Sequence, residues 1–266
     1  MNIIIQEFKM SYKSLISYTI GMLATFYVFV LLFDSFVGNA ALLDQVLSNF
    51  PKEFKAALGF TDVTMSEING YLSFLFTYLV LIGAVYGMKM GVSVLSEEIR
   101  VKAADFLLVK PVKRLKLFGC KLVTVLVCLL LQNLAVYIFG LIAISMVKNS
   151  SGFSISIFTW MNLSTLMVQL FFVGIGFIVS VLIKKIKAVM PITLGIVFIF
   201  FIIELINQSL MDAKLTYLTP FSYFRGSDIL ANRGFELKYV ILDLGVFVVF
   251  TFLSYIIYQR KDMPSV

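Results

Sequence analysis

Histidine is absent from this 266-residue chain, cysteine occurs only twice, and charged residues make up 14% of the whole. Without histidine, the commonest general base and the commonest metal ligand are both missing. Cys120 and Cys128 stand in one apolar run. On a helix they are about 12 Å apart along the axis, beyond disulfide reach, so they carry no information about redox compartment. Soluble domains carry roughly 25% charged residues, and a chain so far below that level cannot cover a water-soluble globule with polar surface. Hydrophobic residues fill the space, at 60% with 27 Phe and a mean hydropathy of +0.98. Lipid must therefore be much of this protein's solvent.

The net charge of +7 does not point to nucleic acid, because the basic residues lie between apolar runs rather than along one face with aromatics interleaved. Lipid headgroups and membrane topology call for that placement. A helix needs about 20 apolar residues to cross the hydrocarbon. Six stretches qualify: Ser14–Phe33, Ile68–Ser96, Leu122–Val147, Ser156–Ile183, Ala188–Asn207 and Tyr239–Gln259. The sequence thus predicts an all-α integral membrane protein of six transmembrane helices, a single domain over 1–266. Glu7 before a long first apolar run argues against a cleaved signal peptide.

Orientation follows from counting Lys and Arg in alternate connections. One side receives Lys9, Lys13, the seven from Arg100 to Lys121, Lys184, Lys185, Lys187, Arg260 and Lys261. The other receives Lys52, Lys55, Lys148, Lys214, Arg225, Arg233 and Lys238, spread over longer loops. Both termini are expected in the cytoplasm. On that assignment Asp34, Glu204 and Asp243 fall near the outer interface and Lys89 near the inner one, where each is expected to reach water by snorkelling. No charge is then expected at the centre of a span, and no polar cluster within the spans.

Ahead of the first span, Ile4, Ile5, Phe8, Tyr12 and Leu15 recur at helical spacing opposite Gln6, Lys9 and Lys13. That pattern predicts an amphipathic helix lying in the inner interface. In the first outer loop, "NFPKEFKAALGF" offers Pro51 as a start and Gly59 as a stop for a small surface helix. Between the fifth and sixth spans, "TYLTPFSYFRGSDIL" is aromatic yet too short and broken to cross. A re-entrant or interfacial element is expected there.

The most charged stretch is "SEEIRVKAADFLLVKPVKRLKLFGCK", Ser96 to Lys121, between the second and third spans. Positive-inside topology accounts for its lysines. It leaves unexplained Glu97, Glu98 and Asp105, and the apolar Phe106, Leu107, Leu108 and Val109 leading into Pro111. An amphipathic cytoplasmic helix over 97–114 with an apolar tip and charged flanks, Arg114 among them, suits docking into a groove on a soluble partner. Glu97 and Glu98 are not read as a catalytic pair, since adjacent residues on a helix point about 100° apart and acid–base work needs convergent groups.

This stretch resembles the cytoplasmic loop of six-helix permeases of the ATP-binding cassette exporter superfamily, the class called type two. The match runs through Glu97, Glu98, Asp105, Phe106, Leu107, Leu108, Pro111, Val112, Arg114, Phe118 and Lys121. Lys102 and Ala103 stand where that class usually has Gly-Thr. "PKEFKAALGF" with "INGYLSF" is similar to its first outer loop and the start of its second span, and "YLTPFSYF" to its connection before the last span. The resemblance implies that the loop is a coupling helix seated in a separate ATPase subunit, itself a dimer. It further implies a transport path between two permease copies, or between this chain and a related one, in a bacterial plasma membrane.

No phosphate-cradling G-x-x-x-x-G-K-[ST] occurs; the nearest sequence, Gly119-Cys120-Lys121-Leu122, lacks the preceding glycine and the hydroxyl. ATP and magnesium are therefore expected on the partner, and no cofactor in this chain. Gly83, Gly87 and Gly91 form a G-x-x-x-G-x-x-x-G ladder that lets another helix approach closely, in the same chain or in a second permease. The expected function is the non-catalytic permease subunit of an ABC exporter for an amphiphilic substrate: a peptide antibiotic, a lipid-like molecule or a drug. The alternative is an ion-coupled secondary transporter of a small hydrophobic solute, which would place ionisable groups near the midplane.

Overall fold

The computed structural model describes residues 3–38, 67–100, 114–147, 152–183, 186–210 and 214–260. Every regular element among them is helical: α1 (Ile3–Gly38), α2 (Ile68–Arg100), α3 (Arg114–Ser145), α4 (Ile155–Leu182), α5 (Val189–Leu210), a 3-10 turn (Leu215–Leu218), α6 (Pro220–Tyr223), α7 (Gly226–Asn232) and α8 (Leu237–Arg260). Six of these are long and apolar enough to cross a membrane, namely α1 to α5 and α8. The small outer helix expected around Pro51 and Gly59 lies outside the described residues.

At the end of the bundle that carries Ile3 and Arg260, called here the near end, α1, α2, α3 and α8 run further than the apolar stretches. Charged side chains do not stop a helix whose backbone is already hydrogen-bonded within itself. The amphipathic segment before the first span is accordingly the opening of the same 36-residue helix. Its buried stripe is polar: Glu7 and Ser11 face inward, while Ile5 and Tyr12 are exposed.

α2 and α4 form the core of the bundle. Their most apolar windows are 72% and 67% buried, against 22% for α1, 39% for α3, 22% for α5 and 17% for α8. The glycine ladder explains the closeness of the pair. A Cβ on Gly87 would lie 2.7 Å from the Gln169 carbonyl oxygen, and one on Gly91 2.6 Å from that of Val173. Gly176 answers from α4, where a Cβ would meet Met88 O at 2.8 Å. All three ladder glycines thus face α4 of the same chain, Gly87 and Gly91 backbone against backbone and Gly83 against the side chains of Thr165 and Gln169.

At the far end, Ser154 caps α4 by accepting from Ile157 N. Asn69 in the first turn of α2 clasps that start, donating to Gly152 O at 2.7 Å and accepting from Ser154 N at 3.1 Å. Below the clasp Phe26, Phe76 and Phe158 meet edge-on at 5.6–6.5 Å between centroids, filling the space between α1, α2 and α4.

After α5 the chain turns back into the bundle from the far end. Pro220 fits the first position of α6, where no N–H is needed. Phe221 packs 5.5 Å from both Phe172 and Phe201, and Tyr223 6.3 Å from Phe171. Phe171 and Phe172 lie close to the middle of the 28-residue α4, so the apex of this segment reaches mid-height. Gly226 then rests against α2, where a Cβ would sit 2.9 Å from Ser73 Cα. Arg233 ends α7 in the left-handed conformation at φ 53°, and Phe235 is back beside Trp160, near the start of α4, at 4.9 Å. The segment enters and leaves by the same end, as expected of a re-entrant element.

Candidate functional site

Of the residues singled out in the charged stretch, Glu97 and Glu98 fall in the last turn of α2. Asp105, Phe106, Leu107, Leu108, Val109 and Pro111 lie outside the described residues. Arg114 opens α3, and from there the base of the loop is visible. Lys121, with a side chain only 1% exposed, donates to Val94 O at 2.7 Å and to Glu7 Oε1 at 2.9 Å. Residues 94 and 121 flank the loop, so one ammonium closes it and ties α1 to the closure. Arg114 reaches to α8, donating from Nη1 to Gln259 O at 2.7 Å and Tyr258 O at 3.3 Å. These are carbonyls of the last helical turn, which lack partners within the helix and favour a cation. Phe118 completes the base by packing against Phe177, Tyr255 and Tyr258 at 5.5–5.9 Å. Five helices thus meet where the loop begins and ends, four of them joined by the two cations.

A family model described as ABC-2 family transporter protein matches residues 1–263. The chain belongs to the ABC-2 transporter family. No curated protein matches it. As a member of that family it is the membrane-spanning transport subunit of an ABC transporter, working with an ATPase partner rather than as a catalyst itself.

The far end of this ABC-2 permease holds a second polar group. Glu204 on α5 is 2% exposed and accepts from Arg225 Nε at 2.6 Å, Arg225 Nη2 at 3.3 Å, Gln208 Nε2 at 2.7 Å and the Ser222 hydroxyl. Asn207 adds bonds to Ser222 Oγ at 3.0 Å and Thr216 Oγ1 at 3.2 Å, and Thr219 Oγ1 donates to Phe200 O at 3.0 Å. Glu204 therefore does not snorkel to water. The returning segment brings it an arginine, and the network sews that segment onto α5. Burial pushes the Asp228 carboxyl up, against the pull of Arg225.

Asp243 also departs from the expected hydrated position. It is 0% exposed, and neither carboxylate oxygen accepts a hydrogen bond. Its depth can be read from α8, whose Phe247 Cα would lie 3.1 Å from a Cβ on Gly174. Asp243 is one turn, about 6 Å, nearer the far end. That places it level with about residue 170 of α4, near the helix's middle. The returning segment covers the start of α8, so a residue that lies close to the edge of the span in sequence is closed in. Tyr223 stacks on Tyr239, which stands one turn before Asp243 on α8.

The expectation of spans free of polar clusters also fails. Gln169 on α4 donates to Gln132 Oε1 at 2.8 Å and accepts from Asn133 Nδ2 at 2.7 Å, and Asn162 Nδ2 reaches Asn133 O at 3.3 Å. All but Asn162 are less than 7% exposed, so amides pin α3 to α4 within the bundle. Lys89 is held as well, 2.7 Å from Ser14 Oγ and 4.9 Å from the centroid of Tyr18. Glu7, Gln132, Asn133 and Gln169 carry no role in the sequence reading, although Lys121 appears among the family-like positions. The available signal was a polar side chain inside or beside an apolar run.

Proposed function

We propose that this permease couples ATP hydrolysis by a separate ATPase subunit to the export of an amphiphilic substrate. The observation that carries the proposal is the base of the 97–114 loop, where Lys121 and Arg114 bind α1, α2, α3 and α8 together. A push that reaches the base of the loop would pass to four helices through two cations. Leu107 and Leu108 at the apolar tip are the proposed anchors, with Phe106, Val109 and Pro111 completing the contact. Glu97, Glu98, Asp105 and Arg114 orient it from the rim. ATP and magnesium sit on the ATPase dimer, and the substrate path lies between two permeases, identical or related.

In this reading the near end faces the cytoplasm of a bacterium, both termini included, and the far end faces outward. An impermeant thiol reagent applied to intact cells should label Lys55→Cys and spare Lys110→Cys; the reverse result would invert the orientation. Coupling is tested by replacing Leu107 and Leu108 together with alanine. Insertion should persist, while ATPase copurification and substrate-stimulated ATP turnover should drop by about 10-fold or more, as for hot-spot truncation. Unchanged copurification and turnover would dismiss the loop as the coupling element. The buried Asp243 is a feature that an ion-coupled transporter would share. Membership of the ABC-2 family favours the ATP-driven reading over that one.

A further inference from the structure

Three acidic side chains are buried among the described residues: Glu7, Glu204 and Asp243. Glu7 has Lys121 at 2.9 Å and Glu204 has Arg225 at 2.6 Å. Asp243 is more deeply buried than either, and both of its oxygens lack a donor. An ionised carboxylate in that position is costly, and an uncharged one with no hydrogen bond still lowers stability relative to an apolar side chain of similar size. The group does nothing for this packing, which singles it out as a candidate for binding.

The surroundings of Asp243 specify the charge of that partner. α3 and α4, which both pack against α8, carry no charged residue over 122–145 or 155–182, so neither supplies a counter-ion. Tyrosines lead to Asp243 from the far end. Tyr217 is 51% exposed, and its ring lies 6.0 Å from that of Tyr239. Tyr239 in turn stacks on the 4%-exposed Tyr223 at 5.3 Å, with the rings 7° from parallel. Lys238 Nζ lies 4.5 Å from the centroid of the Tyr239 ring, in the place that an incoming cation would take by displacing it. Aromatic faces bind cations and bind organic cations well when desolvated.

We propose that Tyr217, Tyr239, Tyr223 and Asp243 form a receptor for the positively charged group of an amphiphilic cation. The tyrosine faces receive the cation from the far end of the bundle, and Asp243 supplies the counter-charge at mid-height. This narrows the substrate class of the proposed exporter to cations and rests on that reading for the link to transport. The receptor itself needs no ATPase.

Tetraphenylphosphonium and tetraphenylborate test the proposal directly, because they share size and shape and differ in charge. Binding of each would be measured on the full chain in lipid nanodiscs without nucleotide. The phosphonium should bind the parent chain about tenfold or more tighter than the borate, and Asp243→Asn should weaken phosphonium binding by about as much. Asp243→Glu should retain most of the affinity. Tyr239→Leu, at a half-buried position that the fold tolerates more easily, should weaken the phosphonium and leave the borate alone. Equal binding of the two ions to the parent overturns the proposal, as does phosphonium affinity unchanged in both Asp243→Asn and Tyr239→Leu. If instead no ATPase copurifies while the charge preference stands, the exporter reading fails and the receptor survives.

Discussion

The bundle treats buried charge in two opposite ways. At the near end Lys121 is enclosed with Glu7 and a backbone carbonyl, each within 2.9 Å. At the far end one acid, Glu204, is as well served, while Asp243 a few ångströms deeper has nothing. A paired charge fastens helices together and an unpaired one does not. The contrast separates parts of the molecule that hold its shape from a part left ready for something else.

Four substitutions would sharpen or break that contrast, each read as a thermal midpoint in mild detergent. The largest effect is expected from Lys121→Met, which strands Glu7 without a counter-charge and should cost about 3–5 kcal/mol. Adding Glu7→Gln should recover much of it, because both charges are then gone. Next is Glu204→Gln, which trades charged hydrogen bonds to Arg225 for neutral ones at about 1.5–3 kcal/mol, reduced by Arg225's partial exposure. Gly87→Ala should follow at about 1–3 kcal/mol, since its Cβ drives into the α4 backbone. Asp243→Asn should move the midpoint least, by under about 1 kcal/mol, as no hydrogen bond or ion pair is lost. An Asp243→Asn loss as large as that of Glu204→Gln would erase the distinction between the two acids.

The spans were legible in the sequence because length and apolarity alone set them, and the six stretches match the six long helices to within the charged flanks. The returning segment was legible too, from Pro220 and Gly226 in an aromatic run too short to cross. The partners of the charges were not. Glu7 and Lys121 are 114 positions apart, and Gln132 and Gln169 are 37 apart; no local periodicity joins such pairs. Asp243 was misplaced for a related reason. Its depth was counted along its own helix, from a boundary that the 214–236 segment covers in three dimensions. The start of α1 shows the same limit, because an amphipathic pattern marks two faces without saying which is turned to lipid. Here Gln6, Lys9 and Lys13 are exposed like Ile5 and Tyr12, and the stripe turned inward is Glu7 and Ser11, which lie on neither of the two faces and of which Glu7 meets Lys121.

The seam between α2 and α4 has a mechanical consequence. Packed helices usually slide past one another by small rotamer changes in the side chains between them. Along Gly87, Gly91 and Gly176 there are few side chains to adjust, and main chain meets main chain. Shear along this line is blocked, so the pair moves as a single strut, stiff along its length. Any alternation between open and closed shapes must then be taken up by the helices that grip the strut least, α1 and α5, pivoting around an axis that does not deform, while α8 stays seated on α4.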